Sequence, residues 1–178
     1  LDADRQRQIL ESYRQHYESQ TDLKTAKSQV KPMRHTPLRV GFVSGDFRFH
    51  PVSRLLESTL TQFRTNPKFI NQVEIFAYSN NRFQDEYTLR LKSKFDVWCD
   101  VRDWSDEHLA EQISRDKIDI LIDLSGHTQG HRLPVFANKV APLQVSWMGA
   151  WGSTGLSSID YVLTDSISVP ESEESGFA

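Results

Sequence analysis

Asp46, Arg48 and His50 crowd one short loop, closed by Pro51, in the segment LRVGFVSGDFRFHPVS that runs from Leu38 to Ser53. A carboxylate, a guanidinium and an imidazole at this spacing can grip an anion, orient a hydroxyl or move a proton near neutral pH. Pro51 biases His50 toward extended backbone, so its ring can point off the loop instead of down onto a helix face. Asp46 could orient His50 or accept from a substrate hydroxyl. The local alternatives stay open: His50 as a cap of the helix that follows, Asp46 as a cap of its own loop, Arg48 solvated.

A second loop repeats the layout. Ser125-Gly126-His127-Thr128-Gln129-Gly130 follows the apolar run IDILIDL. Its glycines let backbone N–H groups approach a ligand, and a helix starting there would offer its N-terminus to an anion. The same residue types also make an ordinary turn. No Gly-Lys-Ser/Thr follows, so the loop is not a Walker motif. Asp123, if buried, needs a partner. Gly149, Gly152 and Gly155 mark a third flexible loop, suited to main-chain contacts with a sugar or phosphate. No Cys/His spacing suggests zinc, and no serine occupies a nucleophile elbow. His16, His35, His108 and His131 are expected at the surface, and Cys99 as a packed thiol.

Positioning these loops requires strands and helices in alternation. Apolar runs predict strands over 38–44, 72–79, 95–101, 118–125, 143–148 and 159–165. Helical spacing predicts helices over 52–63 (Val52, Leu55, Leu56, Leu60, Phe63), 82–94 (Phe83, Tyr87, Leu91), 105–117 and the end of 126–138. Ser105 or Asp106 caps the third of these. The strand over 118–125 is the most apolar and is expected to be central. The alternation implies a Rossmann-like, doubly wound parallel α/β sheet of order 3-2-1-4-5 with right-handed crossovers. Strands 1 and 4 then adjoin, and their C-terminal ends open the expected ligand crevice, flanked by His50 and His127.

Before this unit, Ile9, Leu10, Tyr13 and Tyr17 give 1–30 an amphipathic stripe that must dock on something. Residues 31–37, KPMRHTP, form a linker broken by prolines. The division is therefore 1–37 as helical extension, 38–166 as the sheet unit and 167–178 as a polar tail that looks cut off. Net charge is −3, with 21 Lys and Arg scattered among 24 Asp and Glu. That provides no basic field for nucleic acid. No run of about 18 apolar residues suggests a membrane span, and no apolar core suggests a signal peptide. A single cysteine fits a cytoplasmic protein without disulfides.

The motifs, taken together, resemble a family. Val40-Gly41-Phe42-Val43-Ser44, Asp46-Phe47 and His50-Pro51 are similar to the opening of the catalytic region of O-linked N-acetylglucosamine transferases and their SPINDLY-like and bacterial relatives. The likeness continues through Ile118–Thr128, Ala141-Pro142-Leu143-Gln144-Val145, Gly152-Ser153-Thr154-Gly155, Asp160-Tyr161 and Thr164-Asp165. It implies the first of two Rossmann-like domains of a B-type glycosyltransferase, with tetratricopeptide repeats upstream and a second catalytic domain missing from this chain. It implies an inverting enzyme that moves a sugar, N-acetylglucosamine first among the candidates, from a UDP-sugar to protein Ser/Thr. No permanently bound cofactor and no metal are implied. Carried over, His50 is the active-site histidine before proline and His127 stands near acceptor and sugar. Met148 and Gly149 match a Leu-Gly pair at the sugar. Read from their own loops, Asp46 joins the catalytic candidates, and Gly126 and Thr128 join the donor-binding ones. Where relatives read Gly-Tyr-Pro-Gly, this chain has Gly149-Ala150-Trp151-Gly152, which alters the sugar or acceptor pocket. The fragment alone is expected to be inactive. The rival expectation is a non-catalytic scaffold or peptide-binding module derived from such a half.

Overall fold

A computed structural model describes residues 3–19, 36–149 and 152–172. The chain runs α1 (Ala3–Glu18), β1 (Leu38–Ser44), α2 (Pro51–Thr65), β2 (Val73–Ser79), α3 (Glu86–Lys92), β3 (Val97–Asp100), α4 (Asp106–Asp116), β4 (Ile120–Asp123), α5 (Leu133–Ala137), β5 (Leu143–Trp147) and β6 (Tyr161–Leu163). All strand pairs are parallel and the order is β3-β2-β1-β4-β5-β6. This is the expected doubly wound order with β6 added beside β5. Of the expected linker at 31–37, residues 31–35 lie outside the described residues, as do residues 20–30 of the expected helical stretch.

Strand alternation sends side chains to two cores. Val40, Phe42, Ile75 and Ala77 pack with Leu56 and Leu60 of α2 and Leu91 of α3 on one face. Val43, Phe76 and Tyr78 pack with Leu109 and Ile113 of α4 and Val135 and Phe136 of α5 on the other. Both faces of β1 and β2 are therefore covered, which explains why their sequences read as near-continuous apolar runs. β4 is central, beside β1. Its Ile120 and Ile122 are nevertheless only partly buried, whereas β1 is buried from Val40 to Ser44.

Caps set several boundaries. His50 is the N-cap of α2, with Pro51 at the first helical position. Leu55 lies off the buried stripe of α2 and is exposed, so the apolar face is narrower than its sequence spacing implied. The helix expected over 82–94 starts only at Glu86. Asp85 and Thr88 form a reciprocal capping box there, leaving Phe83 exposed outside the helix. Ser105 caps α4, its Oγ accepting from His108 N–H at 3.2 Å. At the far edge, Gln144 N–H donates to Asp160 Oδ2 at 2.7 Å, and Lys139 pairs with the same carboxylate. Gln144 Nε2 donates to the carbonyls of Phe136 and Ser158. This clamp, buried at Gln144 and Lys139 and exposed at Asp160, joins β5 to the segment entering β6 and gives both motif residues, Gln144 and Asp160, a structural role.

Candidate functional site

The loop after β1 is held from both ends. Phe47 is fully buried, and its backbone exchanges hydrogen bonds with the Asn81 amide at 2.8 and 2.6 Å. Ser53 Oγ donates to the Asp46 carbonyl at 2.5 Å, and Phe49 N–H donates to Asp85 Oδ2 at 2.8 Å. On this frame the Asp46 carboxylate accepts from Arg48 at 2.9 Å. The Arg48 guanidinium also lies 5.2 Å from the Phe83 ring centroid. His50 adopts φ −149°, ψ 150°, the extended conformation expected before proline. Its Nδ1 accepts from Val52 N–H at 3.4 Å and lies 3.8 Å from Asp46 Oδ2. The ring thus caps α2 and faces Asp46 at once. Nε2 hydrogen-bonds to none of the described residues, and a third of the side chain is exposed.

The loop after β4 is built around a buried carboxylate. Asp123 has no solvent exposure and accepts from Ser125 N–H at 3.1 Å and Gly126 N–H at 2.9 Å. Burial pushes its pKa up to about 6, against the pull of those two donors. The Gly126 N–H is therefore committed inside the protein. Thr128 turns inward too, its Oγ1–H and N–H both meeting the Ser125 carbonyl, at 2.6 and 3.0 Å. His127 Nε2 lies 3.0 Å from the Thr154 carbonyl, and half-burial lowers its pKa. The expected helix does not start at this turn: α5 begins only at Leu133.

Three loops meet at the C-terminal edge of the sheet. Gly45 N–H approaches Ser125 Oγ at 3.4 Å, bringing the His50 and His127 loops into contact. Met148 and Gly149, with φ of 61° and 79°, fold the end of β5 against them. A β-carbon on Gly149 would stand 2.6 Å from the Leu124 carbonyl oxygen, so only glycine fits this approach. Ala150 and Trp151 lie outside the described residues. Among the described residues no group of three or more His, Cys, Asp or Glu could hold a metal ion.

Several contributors were not legible in the sequence. Arg132 donates to Asp106 at 2.7 Å, Asn80 at 3.0 Å, and the carbonyls of Val101 and Trp104 at 2.8 and 3.0 Å. Asn80 Nδ2 in turn donates to the Gly130 carbonyl at 2.8 Å. These side chains tie the His127 loop to the ends of β2 and β3. The only sequence signal was the Asn80-Asn81 pair directly after an apolar strand. His131 was expected at the surface. It is half-buried, with Nδ1 accepting from Leu133 N–H at 3.3 Å, and burial and nearby His127 lower its pKa. His108 stacks on Trp104 at 4.3 Å, and His16 lies beside Tyr17. His35 lies outside the described residues. Cys99 is half-buried, and burial pushes its thiol up. The stripe on α1 docks in part: Leu10 and Tyr17 are half-buried and Tyr13 lies over His127 at 4.4 Å, while Ile9 and Tyr13 stay exposed.

An all-parallel sheet with its loops gathered at the C-terminal edge of adjacent central strands defines a Rossmann-like ligand-binding unit. The chain belongs to glycosyl transferase family 41, whose model matches residues 14–178. It is 40% identical over 134 residues to the probable UDP-N-acetylglucosamine–peptide N-acetylglucosaminyltransferase SEC of Arabidopsis thaliana, covering 75% of this chain and 13% of that protein. It is 38% identical over 135 residues to the corresponding probable enzyme SPINDLY of Hordeum vulgare, covering 74% and 14%. Its fold matches a lysine-to-methionine mutant of Thermobaculum terrenum O-GlcNAc transferase with a TM-score of 0.75 and 33% identity, covering 97% of this chain and 36% of that one. The chain thus spans a small part of the length of its relatives. No helix among the described residues is long and apolar enough to cross a membrane.

Proposed function

We propose that this chain forms the acceptor-side part of an inverting glycosyltransferase, which moves N-acetylglucosamine from a UDP-sugar to Ser or Thr of protein acceptors. The observation that carries the reading is the contact between the loops after β1 and β4, Gly45 against Ser125, in a member of this family. The relatives' names supply the donor and the peptide acceptor. On this reading residues 38–166 form the acceptor-side domain and 1–37 lead in from tetratricopeptide repeats. A second domain completes the nucleotide pocket, and the protein works in the cytoplasm.

The chemistry follows from the His50 geometry. The acceptor hydroxyl attacks the anomeric carbon in line, and the diphosphate leaves with its charge stabilised by the second domain. For Nε2 to draw the hydroxyl proton, the ring proton must sit on Nδ1, where Val52 N–H now donates. Asp46 Oδ2, 3.8 Å away, is the carboxylate that a protonated Nδ1 would face. Asp46 therefore serves to orient the His50 ring. Met148 and Gly149 present backbone to the sugar, and the loop of Gly126, His127 and Thr128 forms the facing wall.

Sugar transfer from UDP-N-acetylglucosamine to a Ser/Thr peptide tests the reading. The full-length protein should transfer, its His50→Ala variant should be severely slowed, and residues 1–178 alone should not turn over. Unchanged transfer by His50→Ala removes the catalytic role of His50. Turnover by the 178-residue chain removes the half-site reading.

A further inference from the structure

The imidazole of His127 is held from two independent directions. Its Nε2 meets the Thr154 carbonyl at 3.0 Å. A carbonyl only accepts, so Nε2 carries the ring proton and the lone pair lies on Nδ1. The Tyr13 ring of α1 covers it at 4.4 Å, tilted by 32°. Separate contacts hold α1 in that place. Ser157 N–H donates to Glu18 Oε1 at 2.8 Å, and Tyr17 meets His131 edge-on at 6.1 Å. The Leu10 carbonyl packs so close to Gly155 that a β-carbon there would lie 2.8 Å from it. A polar helix of 16 residues is marginal in water by itself, so its order and its seat on this loop are linked.

We propose that Tyr13 is a positioning residue: its ring fixes the plane of His127 and so presents Nδ1 as a hydrogen-bond acceptor to a hydroxyl of the sugar or the acceptor. The inference rests on the reading of the His127 loop as part of the active site. Tyr13 itself precedes the family match, which begins at residue 14.

Histidine-ring 15N–1H NMR of the 178-residue chain reads the tautomer and protonation midpoint of His127 directly. Tyr13→Ala is expected to expose the ring, weaken the Nε2–H tautomer and raise the midpoint toward the ordinary histidine value. Tyr13→Phe keeps the stack and should leave both unchanged. An unaltered His127 signal in Tyr13→Ala, with helicity retained by circular dichroism, overturns the inference. Tyr17→Ala guards against simple loss of the helix: it loosens α1 at His131 with Tyr13 in place. If it moves His127 as far as Tyr13→Ala does, the hold belongs to the helix as a whole and the inference fails. In the full-length protein, Tyr13→Ala should raise KM by roughly two- to tenfold, the range a lost aromatic pair covers, with Tyr13→Phe restoring it. A ring that moves as expected while transfer stays unchanged supports the hold of Tyr13 on His127, and overturns instead the placement of His127 at the reaction.

Discussion

Asp46 Oδ2 stands 3.8 Å from His50 Nδ1, the same ring nitrogen that caps α2. That Nδ1 accepts from Val52 N–H, so the ring serves as a helix cap, and the proposed role as base requires the other tautomer, with the proton on Nδ1. His50→Ala in the full-length protein should lower kcat by about 10²–10⁴-fold, the usual worth of a general base. Asp46→Asn should lower kcat less, with KM little changed. Steady-state transfer kinetics check both, and a large KM effect with kcat intact would assign His50 to binding alone.

Stability should carry two opposing pH slopes. The Asp123 carboxyl is raised from 3.8 to about 6 by burial, so the folded state holds its proton more tightly than the unfolded chain. Its stabilising contribution is complete below about pH 3.8 and is lost as pH rises through 6, up to about 3 kcal/mol in all. His127 and His131 are lowered by burial, so their contribution is present above the ordinary histidine range and is lost as pH falls through it. Asp123→Asn removes the first slope, and should lose more stability than the parent chain between pH 6 and 4. Urea melts at several pH values measure this; parallel curves would contradict the buried carboxyl.

Gly149→Ala should destabilise the chain. The left-handed backbone alone costs about 1–2 kcal/mol for a residue with a β-carbon. That carbon would also press on the Leu124–Ser125 backbone, which shapes the His127 loop. Thermal denaturation reads the cost, and an unchanged midpoint would mean that the loop after β5 yields freely.

Arg132→Ala should cost about 3–5 kcal/mol, because it strips partners from Asp106, Asn80 and two carbonyls together. Asp106 keeps some contact with water, which favours the lower end. Arg132→Lys should not rescue, since one ammonium cannot span acceptors that the planar fork reaches. Denaturant midpoints of the two variants test this.

Much of this architecture was readable residue by residue. Val40, Phe42 and Leu121 mark apolar strands, and parallel crossovers have one preferred hand, so the order that sets β1 beside β4 follows from local pattern. Pro51 likewise dictated the extended His50. The start of α3 escaped the pattern because apolar Phe83 mimics a helical stripe, whereas the capping box of Asp85 and Thr88 decides the boundary. His131 was expected at the surface and Asn80 and Arg132 drew no expectation, since a polar side chain does not announce whether it will be buried and paired.

The residues alone specified which loops reach the C-terminal edge of the sheet and which titratable groups ride on them. Folding settled how those groups are used: Asp123 takes the N–H groups of its own loop, Gly149 closes on Leu124, and Tyr13 covers His127 from a helix far away in the chain. The division has a physical cause. Hydrophobic periodicity and backbone preference act over a few neighbouring residues and are written in sequence. Hydrogen-bond partners and ring contacts depend on which distant segments the closed core brings within a few ångströms.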